Sequence, residues 1–145
     1  MADAKPLRLI AEDEADLEVI SAALQDSVAK AGALKYQAKK RRFSMEVNRY
    51  RWEDDSKSRA RAILAVESVL GIKARGINKS DPEMVISLMS VKFEPGEEAP
   101  AGTVKMLFSG DGELALDVEC LDITLLDGVQ VWPTKHEPGH EPRKR

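Results

Sequence analysis

The chain has 145 residues, 43% of them hydrophobic and 32% charged, with a formal net charge of -3 at pH 7. That is enough apolar material for one compact core, and no run approaches the roughly 18 consecutive apolar residues that a membrane-spanning helix needs. The lone Cys120 excludes an intramolecular disulfide, and residues 1–6 lack the apolar stretch of a secretory signal, so a single-domain cytoplasmic protein without membrane association is expected.

In chain order, Leu7-Arg8-Leu9-Ile10-Ala11 alternates and reads as a first strand. Asp13 is placed to cap a helix whose first turn carries Glu14 and Asp16 against the positive dipole end. Leu17, Ile20, Leu24, Val28 and Ala31 recur at spacings of three and four, and Gly32 stands where a C-terminal cap is wanted. The pattern predicts a helix of about four turns.

The period then changes to two. Leu34, Tyr36 and Ala38 alternate, Lys39-Lys40-Arg41-Arg42 interrupts, and Phe43, Met45 and Val47 resume, which predicts a hairpin with a basic turn. Tyr50 and Trp52 fall on the opposite parity. Either a bulge returns these aromatics to the buried face, or they stand on the other face between Arg49 and Arg51.

A strand buried on both faces is predicted over 59–72, and another over 85–93, each ended by a charged or Pro- and Gly-bearing loop. The next hairpin reads best with Gly110-Asp111-Gly112 as its loop. Phe108 then faces Leu114, Met106 faces Leu116, Val104 faces Val118, Lys105 meets Asp117, and Gly112 supplies the positive φ. Leu121, Ile123, Leu125 and residues 129–132 continue the apolar material, and 133–145 is a polar tail. Leu64–Val69 echoes Leu116–Leu121, and Arg51-Trp52-Glu53 echoes Lys92-Phe93-Glu94, so two related β units could share one sheet.

The charge is unevenly spread. Residues 1–34 balance to -4, residues 35–61 to +6 and residues 62–145 to -5. Clustered cations interleaved with aromatics can hold phosphates and stack bases, or meet an acidic protein. Lys39, Lys40, Arg41, Arg42, Arg49, Tyr50, Arg51 and Trp52 are therefore the candidate binding residues. The bland reading is a solvated turn that blunts a sheet edge, with arginine stems packed over core aromatics.

Other constellations are weaker. The acids at 12–18 are explained by helix capping, and Pro138-Gly139 between His136 and His140 forbids a shared helix face. Cys120 shares parity with Leu116 and Val118 and reads as a small buried hydrophobe. Asp117 and Glu119 share a strand face without an assembled nucleophile–base pair. No catalytic residue, metal ligand or cofactor is expected.

The string Arg41-Arg42-Phe43 to Asn48-Arg49-Tyr50-Arg51-Trp52-Glu53, with Arg75-Gly76-Ile77 and Val118-Glu119-Cys120-Leu121-Asp122, resembles a bacterial family catalogued only as a domain of unknown function, the one numbered 2948 in that series. The resemblance runs from Leu7 to about Leu126. It implies a bacterial cytoplasmic protein in a housekeeping setting, near histidine-biosynthesis and cell-wall precursor genes, and it brings no activity.

The expected architecture is α+β, a mainly antiparallel twisted sheet of about six or seven strands curled around one long N-terminal helix. It would form a single domain over 1–132 followed by the tail 133–145. The expected function is a non-catalytic interaction module that uses the basic and aromatic hairpin to meet a protein or a nucleic acid, with homodimerisation through a sheet face or edge as a further option. The alternative is a small enzyme or ligand-binding roll with its pocket between helix and sheet, using Asp117, Glu119 or Arg49.

Overall fold

The computed structural model describes residues 5–78, 80–134 and 138. Strand β1 (Arg8–Ala11) turns its alternate residues Leu9 and Ala11 inward and leads into helix α1 (Glu14–Leu24). Asp13 caps that helix, its carboxylate accepting the Asp16 N–H at 2.8 Å, as the sequence predicts. Leu17, Ile20 and Leu24 fall on one stripe and are buried, and the Ser21 hydroxyl accepts the Val91 N–H at 3.0 Å, which fixes the helix to the sheet.

The helix stops after 11 residues, about 16 Å, instead of four turns. Asp26 takes a left-handed backbone (φ 63°), and the chain continues as β2 (Ser27–Lys30). Val28 and Ala31 keep helical spacing from Leu24, but in β2 it is Ser27 and Ala29 that face the core. Tertiary pairing overrides the local pattern here, because β2 satisfies backbone groups of β7 (Val85–Pro95) that would otherwise lie unpaired in mid-sheet. The expectation of six or seven strands around a long helix is corrected accordingly. The described residues form mostly sheet, ten strands with one short helix.

The remaining strands are β3 (Leu34–Gln37), β4 (Arg42–Tyr50), β5 (Ser58–Val66), β6 (Val69–Arg75), β8 (Gly102–Phe108), β9 (Glu113–Val118) and β10 (Ile123–Pro133). All the pairings are antiparallel. The sheet runs β1-β10-β5-β4-β2-β7-β8-β9-β6, with β3 also along β4. Apart from β1 and β3 that order consists of two matching halves about the β2–β7 pair. Strands β2, β4 and β5 form one meander, β7, β8 and β9 form a second, and each meander sends its next strand across to the other. Thus β6 leaves β5 to pair with β9, and β10 leaves β9 to pair with β5.

The echoing segments of the sequence are the two crossing turns. They hold each other, Glu67 N–H donating to Asp122 O at 2.9 Å and Glu119 N–H to Ser68 O at 3.0 Å. The single strand predicted over 59–72 is therefore two strands, broken at Ser68 (φ 57°). It is not buried on both faces either. Ala60, Ala62, Leu64 and Val66 are buried, while Ile63 on the reverse face is 47% exposed.

The β8–β9 hairpin has a three-residue loop, shifted one position from the expected one to Ser109–Asp111. Met106 faces Leu114 and Val104 faces Leu116, and the positive φ falls on Gly110 (76°) and Asp111 (67°). The shift changes each pairing by two residues, so every apolar side chain stays on the core face and the pattern could not distinguish the two registers. Lys105 consequently lies opposite Ala115 instead of Asp117 and reaches Glu94 at 3.3 Å. Cys120, expected to be buried, is half-buried in the crossing turn, where its carbonyl accepts the Ser68 hydroxyl at 3.2 Å.

Candidate interaction surface

The basic segment divides by side-chain chemistry. Strand β4 alternates strictly, so Arg49 continues the inward row of Phe43, Met45 and Val47, and Arg51 follows it just past the strand end. There is no bulge, and Tyr50 and Trp52 stand on the reverse face. Arg49 is 0% exposed. It holds Asp127 in a two-pronged pair, Nε to Oδ1 at 2.7 Å and Nη2 to Oδ2 at 2.8 Å, and Glu53 in another at 2.9 and 2.6 Å. Asp127 also accepts the Leu7 N–H at 2.9 Å, so the arginine ties β4, β10 and the entry to β1 at one point.

Burial, the largest single influence, pushes the Arg49 guanidinium down, but the hydrogen bonds and charges of Asp127 and Glu53 together raise it above its ordinary value. Burial likewise pushes the Glu53 carboxyl up, and the hydrogen bond and charge from Arg49, with help from its own backbone and Arg51, bring it below the usual carboxylate range. Arg51, 4% exposed, clamps the loop after β4 through Asp54 at 2.7 Å and the Ser56 and Ser58 hydroxyls at 3.0 and 3.1 Å.

On the reverse face Tyr50, 4% exposed, meets Trp52 edge-to-face with ring centroids 4.7 Å apart. The Arg59 guanidinium lies 5.9 Å from the Tyr50 ring, and the Trp52 indole N–H donates to Gln25 O at 3.0 Å. These rings are built into the structure and do not form an open stacking platform.

The turn presents the rest of the candidate set. Arg41 pairs with Glu119 at 3.0 Å and Arg42 with Glu67 at 2.9 Å, which places one arginine on each crossing turn. Arg61 reaches Glu46 at 3.5 Å, and Arg59 donates to Asn48 O at 3.0 Å. Every arginine from 41 to 61 is thus engaged. Lys39 and Lys40, in a 3-10 turn after β3, are exposed and have no ion pair among the described residues, as do Lys35 on β3 and Lys73 on β6.

Between β3 and β6 lies a cleft of about 400 Å³ lined by Leu34, Tyr36, Phe43, Ile72, Ala74 and Leu114, with residues 31, 32 and 77 at one end. The two strands meet at its other end, where the Tyr36 hydroxyl donates to Val69 O at 3.2 Å and the Val69 N–H to Arg41 O at 2.8 Å. Sequence reasoning missed this cleft. A second concavity, of about 490 Å³, runs over the outer face between Lys30, Lys35, Glu46 and Pro82. A third, of about 280 Å³, sits between helix and sheet beside Glu14, Glu18, Lys92 and Phe93. Asp117 and Glu119 line none of these three, and Glu119 is held by Arg41. His136 and His140 lie outside the described residues.

A small, mostly antiparallel-sheet protein with crossed meanders, Arg49 and Arg51 turned inward and a group of exposed lysines is the class that fold and surface define. The chain belongs to the family described as "Protein of unknown function (DUF2948)", whose model matches residues 7–140. No curated protein and no solved structure gives a significant match. Among the described residues, no helix is long and apolar enough to cross a membrane.

Proposed function

We propose that this protein is a non-catalytic interaction module of the bacterial cytoplasm that meets an acidic protein partner through the lysines around Lys39 and Lys40. The observation that carries this reading is the partition of its cations. The arginines of 41–61 all have ion-pair or hydrogen-bond partners, whereas Lys35, Lys39, Lys40 and Lys73 stand without ion pairs among the described residues. Unpaired like charges on neighbouring strands repel one another and attract an anionic surface, raising its association rate. A protein is favoured over a nucleic acid because Tyr50 and Trp52 are packed away from the lysines and offer no face for a base.

The test is fluorescence anisotropy with labelled poly-glutamate, comparing wild type with Lys39→Glu/Lys40→Glu. Reversing two exposed charges should weaken binding at least tenfold, and salt should weaken the wild type steeply. Equal binding by both forms overturns the reading, as does tighter binding to a single-stranded oligonucleotide than to poly-glutamate.

A further inference from the structure

The two matching halves of the sheet supply an internal comparison. In each half a strand donated by the other meander pairs with the outermost hairpin strand, β10 with β5 and β6 with β9. The far edge of β10 is covered by β1, in register from Arg8 opposite Leu126 to Ala11 opposite Ile123. The far edge of β6, its topological counterpart, has no strand against it among the described residues beyond the tack at Val69. One half of the protein shows a four-residue strand closing this position, and the other half leaves the position open beside an apolar cleft.

We infer that the vacant edge of β6 is an acceptor for an extended segment of an acidic partner protein, which adds there as a strand in the place that β1 takes on β10. An unpaired edge offers a ladder of N–H and C=O groups, and pockets for alternate side chains then give specificity. Ile72 and Ala74 point into the cleft towards Leu34 and Tyr36, just as Leu9 and Ala11 of β1 point into the core. Lys73 lies on the opposite face of β6 and Lys35 on the opposite face of β3, followed by Lys39 and Lys40. The segment that fits has apolar residues at alternate positions facing the cleft and carboxylates at the positions between. A second copy of this chain is disfavoured, because pairing edge to edge would bring the same lysines together.

This inference rests on the acidic-partner reading, and the experiment separates the two. The probe is an eight-residue peptide alternating valine and glutamate, with poly-glutamate in parallel. Hydrogen exchange followed by mass spectrometry reports residues 70–75 in the wild-type protein. Saturating peptide should slow exchange there at least tenfold, and poly-glutamate, which lacks apolar anchors, should slow it less. Ala74→Trp plugs the cleft from an exposed position without changing charge. It should weaken the peptide at least tenfold and leave poly-glutamate binding as in wild type. Peptide binding without slowed exchange at 70–75, or undiminished binding by Ala74→Trp, overturns the strand-acceptor inference while the charge reading stands. Failure of the wild type to bind either probe overturns both. Exchange at 70–75 that slows with protein concentration alone would identify a second copy as occupant and overturn the acidic segment.

Discussion

Replacing Asp127 by asparagine removes a charge and almost no volume from the most buried ion pair among the described residues. The Asp127 side chain is 2% exposed and Arg49 is 0% exposed. The asparagine oxygen can still accept the Leu7 N–H, but its amide group then meets the guanidinium donor to donor. Breaking a buried pair by neutralising one member typically costs about 3–5 kcal/mol, because the other charge stays buried without compensation. Arg49 keeps its two bonds to Glu53, which puts the cost near the lower end, about 3 kcal/mol. At roughly 2–4 °C per kcal/mol for a chain of this size, the melting temperature should fall by roughly 6–12 °C. Urea titration at pH 7 should show a lower midpoint with an unchanged slope, since the surface exposed on unfolding is the same. Replacing Arg49 by methionine and Glu53 by glutamine in the Asp127→Asn background should recover part of the loss, because no member of the network is then left charged without a partner. A loss below about 1 kcal/mol for Asp127→Asn, within the range of an exposed pair, would refute the reasoning.

Glu53 has a depressed folded carboxyl, so its contribution to stability is present above the unfolded value and lost as pH falls through the folded one. Urea midpoints of wild type and Glu53→Gln, taken from about pH 6 down to about pH 3, should therefore converge towards the acid end, and a constant difference would contradict the assignment. At Gly102 a Cβ would fall 2.5 Å from both Glu94 O and the Phe93 ring, whereas at Gly71 it would meet nothing within 4 Å. Gly102→Ala should cost roughly 1–3 kcal/mol in chemical denaturation, and Gly71→Ala should be neutral or slightly stabilising. Leu64 is fully buried at the centre of β5, and Leu64→Ala should lose roughly 2–5 kcal/mol by the same assay.

Much of this architecture is local and can be read from alternation. The capped start of the helix, β1, the basic turn and the β8–β9 hairpin all follow from spacings within a dozen residues. Even the buried arginine is marked in the pattern. Arg49 occupies the position after Phe43, Met45 and Val47 on one parity, and Asp127 the position after Ile123 and Leu125 on another. A cation and an anion, each ending an inward apolar row, signal a buried pair when read together, and a strip of surface when the cations are counted alone. The end of the helix was illegible for a different reason. Val28 and Ala31 continue the helical spacing from Leu24, and only pairing with the partner strand β7, more than 50 residues away, overrides it. The cleft is further still from the local pattern, since it depends on β6 crossing to β9 and leaving its far edge opposite β3.

The division of labour between arginine and lysine is tested most directly by mapping amide shifts in a two-dimensional nitrogen–proton NMR spectrum as poly-glutamate is added. The account predicts that the signals of Lys35, Lys39, Lys40 and Lys73 move together while those of Arg49, Tyr50, Arg51 and Trp52 stay in place. Shifts centred on residues 49–52, with the four lysines unmoved, would contradict it.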